Sequence, residues 1–182
     1  ETTDLKSGTV AVEENVVWSK PFCDLIHFNR ELPAKHKKQP KILIVAPMSG
    51  HYATLLRGTV ETLLPSAEVY ITDWTDARIV PRSDGSFDLD DYVDYLIDMF
   101  NTLGPDTHVM AVCQPSVPVL AAIAIMEARK DENIPRSMTL MGGPIDTRIN
   151  PTGVNEMAES KPLSWFKDNV IMTVPWSLKG AG

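Results

Sequence analysis

Cysteine, histidine and clustered basic charge are all scarce in this chain of 182 residues. Its two cysteines, Cys23 and Cys113, lie far apart and supply neither a disulfide framework nor a cluster of metal ligands, which favours a reducing compartment. The net charge is −7 and the one basic run is at residues 35–38, so nucleic acid is not expected as a partner, because phosphate binding needs a clustered positive surface. No segment of the given residues has the pattern of a signal peptide, and no apolar run approaches the roughly 20 residues that cross a bilayer. We therefore expect a cytoplasmic protein without a membrane span.

The composition is that of an ordinary globular protein. Hydrophobic residues make up 43% of the chain, and its length suits one domain with a sizeable core. The sequence begins with Glu1 rather than methionine, so we expect the translated protein to extend beyond it.

Short apolar runs alternate with helical patterns, which predicts an α/β fold with a mainly parallel sheet and helices on both faces. Asp88 is a good N-cap for one of these helices, whose apolar residues recur at intervals of three and four. Ligands bind such sheets near the carboxyl ends of the strands. The predicted strands are 41–47, 68–72, 109–112 and 137–141, with an antiparallel pair at 9–18 and 22–28, and the predicted helices are 52–64, 88–103 and 115–126.

The most informative segment surrounds Cys113, where the buried strand 109–112 gives way at once to a helix that opens with Pro115. Residues 111–115, AVCQP, occupy the frame of the Gly-x-Ser-x-Gly nucleophile elbow, with cysteine in the serine position. A thiol at a helix N-terminus favours the reactive thiolate. Ala111 and Pro115 replace both glycines of the motif. A buried cysteine that acts as a small hydrophobe is the alternative, and the residues alone leave both interpretations open.

A cysteine nucleophile needs a base and an acid, which follow it in the hydrolase order. No histidine follows Cys113, and neither Asp146 nor Asp168 comes after a predicted sheet strand. We therefore expect a hydrolase core truncated before its last strands, with the base and the acid in a segment after Gly182, or else an inactive relic. The four histidines, all before the cysteine, are His27, His36, His51 and His108, of which His51 has the best position.

Residues 147–182 differ in composition from the preceding part, with prolines, methionines and tryptophans between polar residues. We expect residues 1–146 to form the N-terminal part of the hydrolase core and 147–182 to begin a cap or lid over an apolar substrate. A peripheral amphipathic segment is the alternative.

Four segments together resemble the intracellular polyhydroxybutyrate depolymerases, an α/β-hydrolase family. They are APMSGHYATLLR at 46–57, ITDW at 71–74, AVCQPSVP at 111–118 and LMGGPIDTR at 140–148. The resemblance extends over nearly the whole chain, and these segments are far more specific than a generic lipase box.

The resemblance implies that Cys113 is the nucleophile, which attacks an ester carbonyl of 3-hydroxybutyrate polymer to form a thioester. It implies that the Gln114 N–H is one oxyanion donor, and that Met48, or its neighbour Ser49, supplies the other. Water then releases 3-hydroxybutyrate or oligomers, or coenzyme A takes the acyl group. No metal or redox cofactor is implied, and the aspartate and histidine of the triad lie further along the chain.

The expected partners are polymer at the granule surface, the C-terminal segment of the same precursor, and a second copy of the chain as an alternative cover for the exposed sheet edge. Two other functions stay open. One is a polyester synthase that uses the same cysteine thioester, and the other is an inactive granule-binding protein with a hydrolase fold.

Overall fold

The computed structural model describes residues 2–5, 8–32, 39–48 and 53–171. These residues form seven strands and five α-helices. The strands are β1 (Thr2–Leu5), β2 (Gly8–Lys20), β3 (Cys23–Arg30), β4 (Lys41–Val45), β5 (Glu68–Trp74), β6 (Thr107–Val112) and β7 (Ser137–Met141). The helices are α1 (Arg57–Leu63), α2 (Leu89–Leu103), α3 (Ser116–Arg129), α4 (Gly153–Ser160) and α5 (Leu163–Asn169).

All seven strands belong to one sheet, in the order β1-β2-β3-β5-β4-β6-β7. Strands β5, β4, β6 and β7 are parallel to one another. The pairs β1–β2, β2–β3 and β3–β5 are antiparallel. The α/β fold, its parallel strands and the antiparallel pair at the N-terminus are confirmed. Strand β1, which pairs outside β2, was not predicted.

The strand order reverses at β4. The chain passes from β4 to β5 on one side and then returns to β6 on the other side of β4. In open α/β sheets, ligands bind in the crevice outside the carboxyl ends of the strands at such a reversal. Val45 pairs with Ala111 at this point, so the loop after β4 and the turn after β6 leave the sheet side by side.

Helices cover both faces of the sheet. Successive residues of a strand point to opposite faces, so neighbouring residues of β4 belong to different core clusters. Leu43 and Val45 belong to one core cluster with residues of α2 and α3, while the intervening Ile44 belongs to a second cluster with Val60 of α1. The sheet is therefore buried from two sides around β4, which explains the continuous apolar run in that strand.

Helix α2 has the predicted start. The Asp88 side chain accepts hydrogen bonds from the N–H groups of Asp90 and Asp91, and the Asp91 side chain accepts one from the Asp88 N–H. This reciprocal arrangement is a capping box. Tyr92, Leu96 and Met99 then face the core, as their spacing predicts.

Helix α1 begins later than the predicted position 52, which itself lies outside the described residues. Ala53 has a left-handed backbone with φ 54°, and residues 54–56 form a 3₁₀ turn before the α-helix starts at Arg57. A left-handed residue interrupts the α-helical hydrogen-bond ladder, so the α-helix cannot extend back through Ala53. No helix of the described residues is long and apolar enough to cross a membrane.

Candidate active site

Cys113 occupies the turn between β6 and α3 and has φ 68°. A left-handed backbone costs a residue with a side chain about 1–2 kcal/mol, so the surrounding structure must hold it in place. The Cys113 N–H donates to the Met141 carbonyl at 2.8 Å, and the Cys113 carbonyl accepts from the Ser116 N–H at 3.0 Å. Both main-chain polar groups of the cysteine are thus used, and its side chain is exposed.

The two replaced glycines of the elbow motif have structural explanations. Pro115 has φ −57° and lies at the N-cap of α3, so it needs no positive φ, and the left-handed residue of the turn is Cys113 itself. Ala111 is fully buried within β6, where a small side chain suffices. The departure from Gly-x-Ser-x-Gly therefore leaves the sharp strand-to-helix turn intact.

Gly143 lies against the base of this turn. A Cβ atom at residue 143 would lie 2.1 Å from the Ser116 Cβ and 2.6 Å from the Cys113 carbonyl oxygen. Ser116 is fully buried, and its Oγ has no hydrogen-bond partner among the described atoms. The loop after β7 thus packs closely on the first turn of α3, directly behind the cysteine.

The loop after β4 starts from a fixed position. The Ala46 N–H donates to the buried Thr72 Oγ1 at 2.9 Å, and the Ala46 carbonyl accepts from the Trp74 indole Nε1 at 2.9 Å. Met48 follows two residues later and is partly exposed. In the part of the chain that is described, the main-chain N–H groups of Met48 and Gln114 have no acceptor. Ser49, the other predicted donor, lies outside the described residues, as does His51.

Neither described histidine lies at this edge of the sheet. The ring of His27 stacks on Tyr70 at 4.3 Å between centroids, and burial lowers the pKa of His27. His108 lies at the opposite end of β6 from Cys113, and its Nδ1 is 2.7 Å from the Ser137 Oγ. His36 is outside the described residues. Neither His27 nor His108 is therefore placed to act as a base for Cys113.

Of the two aspartates considered above, one forms an ion pair and the other is exposed. Asp146 accepts two hydrogen bonds from the Arg148 guanidinium, which holds the pKa of that carboxyl below its usual range. Asp168 is exposed on α5. Among the described residues, no group of three histidine, cysteine or acidic side chains has the geometry of a metal site.

Several contributors to this edge were not identified from the sequence. Thr72 and Trp74 fix the loop after β4, Met141 holds the Cys113 N–H, and Gly143 permits the close approach of the β7 loop. The sequence contained one usable signal, the pair of glycines at 142–143 directly after the strand predicted at 137–141, because such a pair often marks a close backbone approach. That strand was expected to be buried, but most of its residues are exposed in the described structure.

The family model described as "PHB de-polymerase C-terminus" matches residues 142–182. The match begins in the loop that packs behind Cys113. It confirms the resemblance to polyhydroxybutyrate depolymerases that the sequence motifs indicated. A search among curated proteins gave no match.

Three solved structures share the fold. They are an N-formylmaleamic acid deformylase from Pseudomonas putida S16 (19% identity, TM-score 0.54, 81% of this chain and 55% of the other), a hyperthermophilic esterase from Pyrobaculum calidifontis (11%, 0.52, 78% and 47%) and naproxen esterase from Bacillus subtilis (13%, 0.50, 83% and 49%). The chain is thus an α/β-hydrolase-like fold, and it spans about half the length of these structures.

Proposed function

We propose that the protein is an intracellular polyhydroxybutyrate depolymerase, an ester hydrolase that uses Cys113 as its nucleophile. The observation that carries this proposal is the left-handed Cys113 at the turn from β6 into α3, with φ 68° and an exposed side chain. Backbone strain of this kind is retained where the surrounding structure enforces it, and it is concentrated at functional positions. A cysteine in this position presents its thiol at the mouth of the crevice and at the N-terminus of a 14-residue helix.

The proposed reaction proceeds in two steps. The Cys113 sulfur attacks the ester carbonyl, a C–S bond forms, the C–O bond breaks, and the leaving alcohol takes up a proton. Water then attacks the thioester and the thiol is released, or coenzyme A replaces water and carries the acyl group away. The general base and its acid belong to the partner segment that we propose, a C-terminal part of the same precursor.

The oxyanion of each tetrahedral intermediate would be bound by the main-chain N–H groups of Gln114 and Met48, with Ser49 as the neighbouring candidate. Two observations support this assignment: the N–H groups of Gln114 and Met48 have no acceptor among the described residues, and Val45 pairs with Ala111. The Cys113 N–H is already committed to Met141. Loss of one such donor typically lowers the rate by about 10²–10³.

The substrate and its location are supported by the family model at 142–182 and by the four sequence segments. We propose polymer of 3-hydroxybutyrate at the surface of cytoplasmic granules, with residues 147–182 as the start of a lid. Helices α4 and α5 bury none of their residues among the described part of the chain, and Val154 and Leu163 are among the most exposed apolar side chains. Such a segment suits contact with an apolar surface.

The test is hydrolysis of a 3-hydroxybutyrate trimer by the complete gene product and by its Cys113→Ala variant. We expect turnover by the first and none by the second, with a trapped acyl group on Cys113 detected by mass spectrometry. Turnover by Cys113→Ala would exclude the cysteine mechanism. Polymer formation from hydroxyacyl-coenzyme A would instead identify a synthase, and granule binding without any turnover would identify an inactive binding protein.

A further inference from the structure

A cavity of about 280 Å³ opens beside the loop after β4, and Met48 forms part of its wall. Its other walls come from the turn before β3 and from the segment after β5, with Phe22, Val80, Arg82, Ser86 and Phe87 among the lining residues. Because Met48 is a proposed oxyanion donor, a molecule in this cavity would lie beside one of the two groups proposed to bind the reacting carbonyl oxygen.

The apolar walls of this cavity are packed against one another. Phe22 and Phe87 stack with 5.0 Å between ring centroids, and Val80 is 3% exposed. The Thr75 N–H donates to the Phe22 carbonyl, which ties the segment after β5 to the turn before β3. A preformed apolar cavity of this kind binds a small ligand without a large ordering cost.

The charged side chain among the described lining residues is a cation, Arg82. Among the described residues that line the cavity, Arg82 supplies a guanidinium, Ser86 supplies a hydroxyl, and none supplies a carboxylate. Arg82 is exposed and forms no ion pair within the described ranges. An unneutralised guanidinium beside apolar walls favours a ligand with a short apolar body and an anionic end, and its planar fork matches a carboxylate.

We propose that this cavity is a binding site for the carboxylate end of a hydroxyacyl oligomer, with Arg82 as the residue that selects a free acid. The inference rests on the proposed function. In such an oligomer the terminal unit bears the free carboxylate and is bonded through its hydroxyl oxygen to the acyl group that Cys113 would attack. When that C–O bond breaks, the oxygen takes up a proton and the terminal hydroxy acid leaves from the cavity.

The volume of the cavity limits how many hydroxyacyl units at the carboxylate end of the oligomer can bind in it. Small-molecule sites in proteins are about 300–1,000 Å³, so this cavity is at the lower limit and suits one or two short units. Cleavage would then remove the ends of chains with a free carboxylate in preference to internal bonds.

The experiment compares a 3-hydroxybutyrate trimer with its methyl ester, using the complete gene product. Both contain the same ester bonds between 3-hydroxybutyrate units, but only the first has a free carboxylate, which the second replaces with a terminal methyl ester. We expect kcat/KM to favour the acid, and Arg82→Glu to lower kcat/KM for the acid by about fivefold, the size of one exposed charge interaction, while the methyl ester is unaffected. Arg82→Lys should keep part of the preference, and Ser83→Ala, in the same exposed turn, should keep all of it.

Equal effects of Arg82→Glu on both substrates, or no effect on either, would overturn the proposed site. The proposed function fails separately, through turnover by Cys113→Ala or absence of turnover by the wild type. If the wild type shows no turnover, calorimetry on the Cys113→Ala protein still tests the cavity; if Cys113→Ala turns the trimer over, the comparison of the acid with its methyl ester still tests it. The trimer acid should bind about fivefold more weakly after the added Arg82→Glu change, and an unchanged affinity would overturn the inference.

Discussion

Gly143 approaches Ser116 so closely that a methyl group at residue 143 would lie 2.1 Å from the Ser116 Cβ and 2.2 Å from its Oγ. Ser116 is fully buried in the first turn of α3 and cannot move aside without moving the helix. The same methyl group would lie 2.6 Å from the carbonyl oxygen of Cys113. The position of the cysteine therefore depends on the absence of a side chain at residue 143.

Gly143→Ala should displace the loop after β7 or the start of α3. Overpacking of this kind costs typically 1–3 kcal/mol, and we expect the free energy of unfolding in urea to fall by about that amount. Any ester turnover should fall with it, because the Cys113 carbonyl contact is disturbed. Gly58→Ala is the matched control, since a Cβ at Gly58 in α1 meets nothing within 4 Å. That change introduces no clash, so we expect it not to lower the free energy of unfolding. Equal stability of the two variants would contradict the packing argument.

Much of this fold is predictable from local pattern. The apolar runs of β4 and β6 and the Asp88 cap of α2 each follow from a few neighbouring residues. The close approach of Gly143, the anchoring of Ala46 by Thr72 and the left-handed Cys113 depend on residues brought together from different strands. Such contacts have no periodic signature in the sequence, which is why the elbow was predictable as a motif but its supporting contacts were not.

The left-handed conformation of Cys113 should be visible in the stability of substituted proteins. Glycine adopts φ 68° without the steric cost that alanine pays. Cys113→Gly should therefore be more stable than Cys113→Ala by about 1 kcal/mol, measured by urea unfolding. At Ala124, an exposed position in α3, the order should reverse, because glycine weakens a helix interior by about 0.5–1 kcal/mol. If alanine were the more stable residue at both positions, residue 113 would not be left-handed in solution.

Asp73 should make stability depend on pH. It lies directly opposite Asp24 in the antiparallel pair of β3 and β5, and its Oδ1 is buried without a hydrogen-bond partner in the described structure. Burial, followed by the charges of Asp24 and Glu14, raises the pKa of Asp73. The native state therefore holds the Asp73 proton more tightly than the unfolded chain does. The stabilisation from the protonated form is full below the ordinary aspartate pKa of about 3.9 and is lost as pH rises through the raised value.

Asp73→Asn removes this loss, since the amide carries no charge at any of these pH values. We expect the variant to be more stable than the wild type at pH 7 and the difference to shrink towards pH 3, as measured by thermal unfolding across that range. Asp24→Asn should reduce the effect of Asp73→Asn in a double variant, because it removes one of the charges that raise the Asp73 pKa. A stability difference independent of pH would show that the carboxyl charge is not its cause.

The two cysteines should differ sharply in reactivity towards iodoacetamide, because only one of them is accessible. Cys113 is exposed at the elbow, whereas Cys23 is 0% exposed between the sheet and the helices. Burial, together with the nearby carboxylates of Asp73 and Asp24, raises the pKa of the Cys23 thiol and suppresses its thiolate. Mass spectrometry of the native protein should therefore find one alkylated cysteine, at residue 113, and unfolding in urea should expose the second. If the ester chemistry proceeds through Cys113, turnover should disappear in step with that first alkylation, and Cys23→Ala should change neither result. Full alkylation with undiminished turnover would separate the exposed thiol from the reaction and leave the elbow as a structural feature alone.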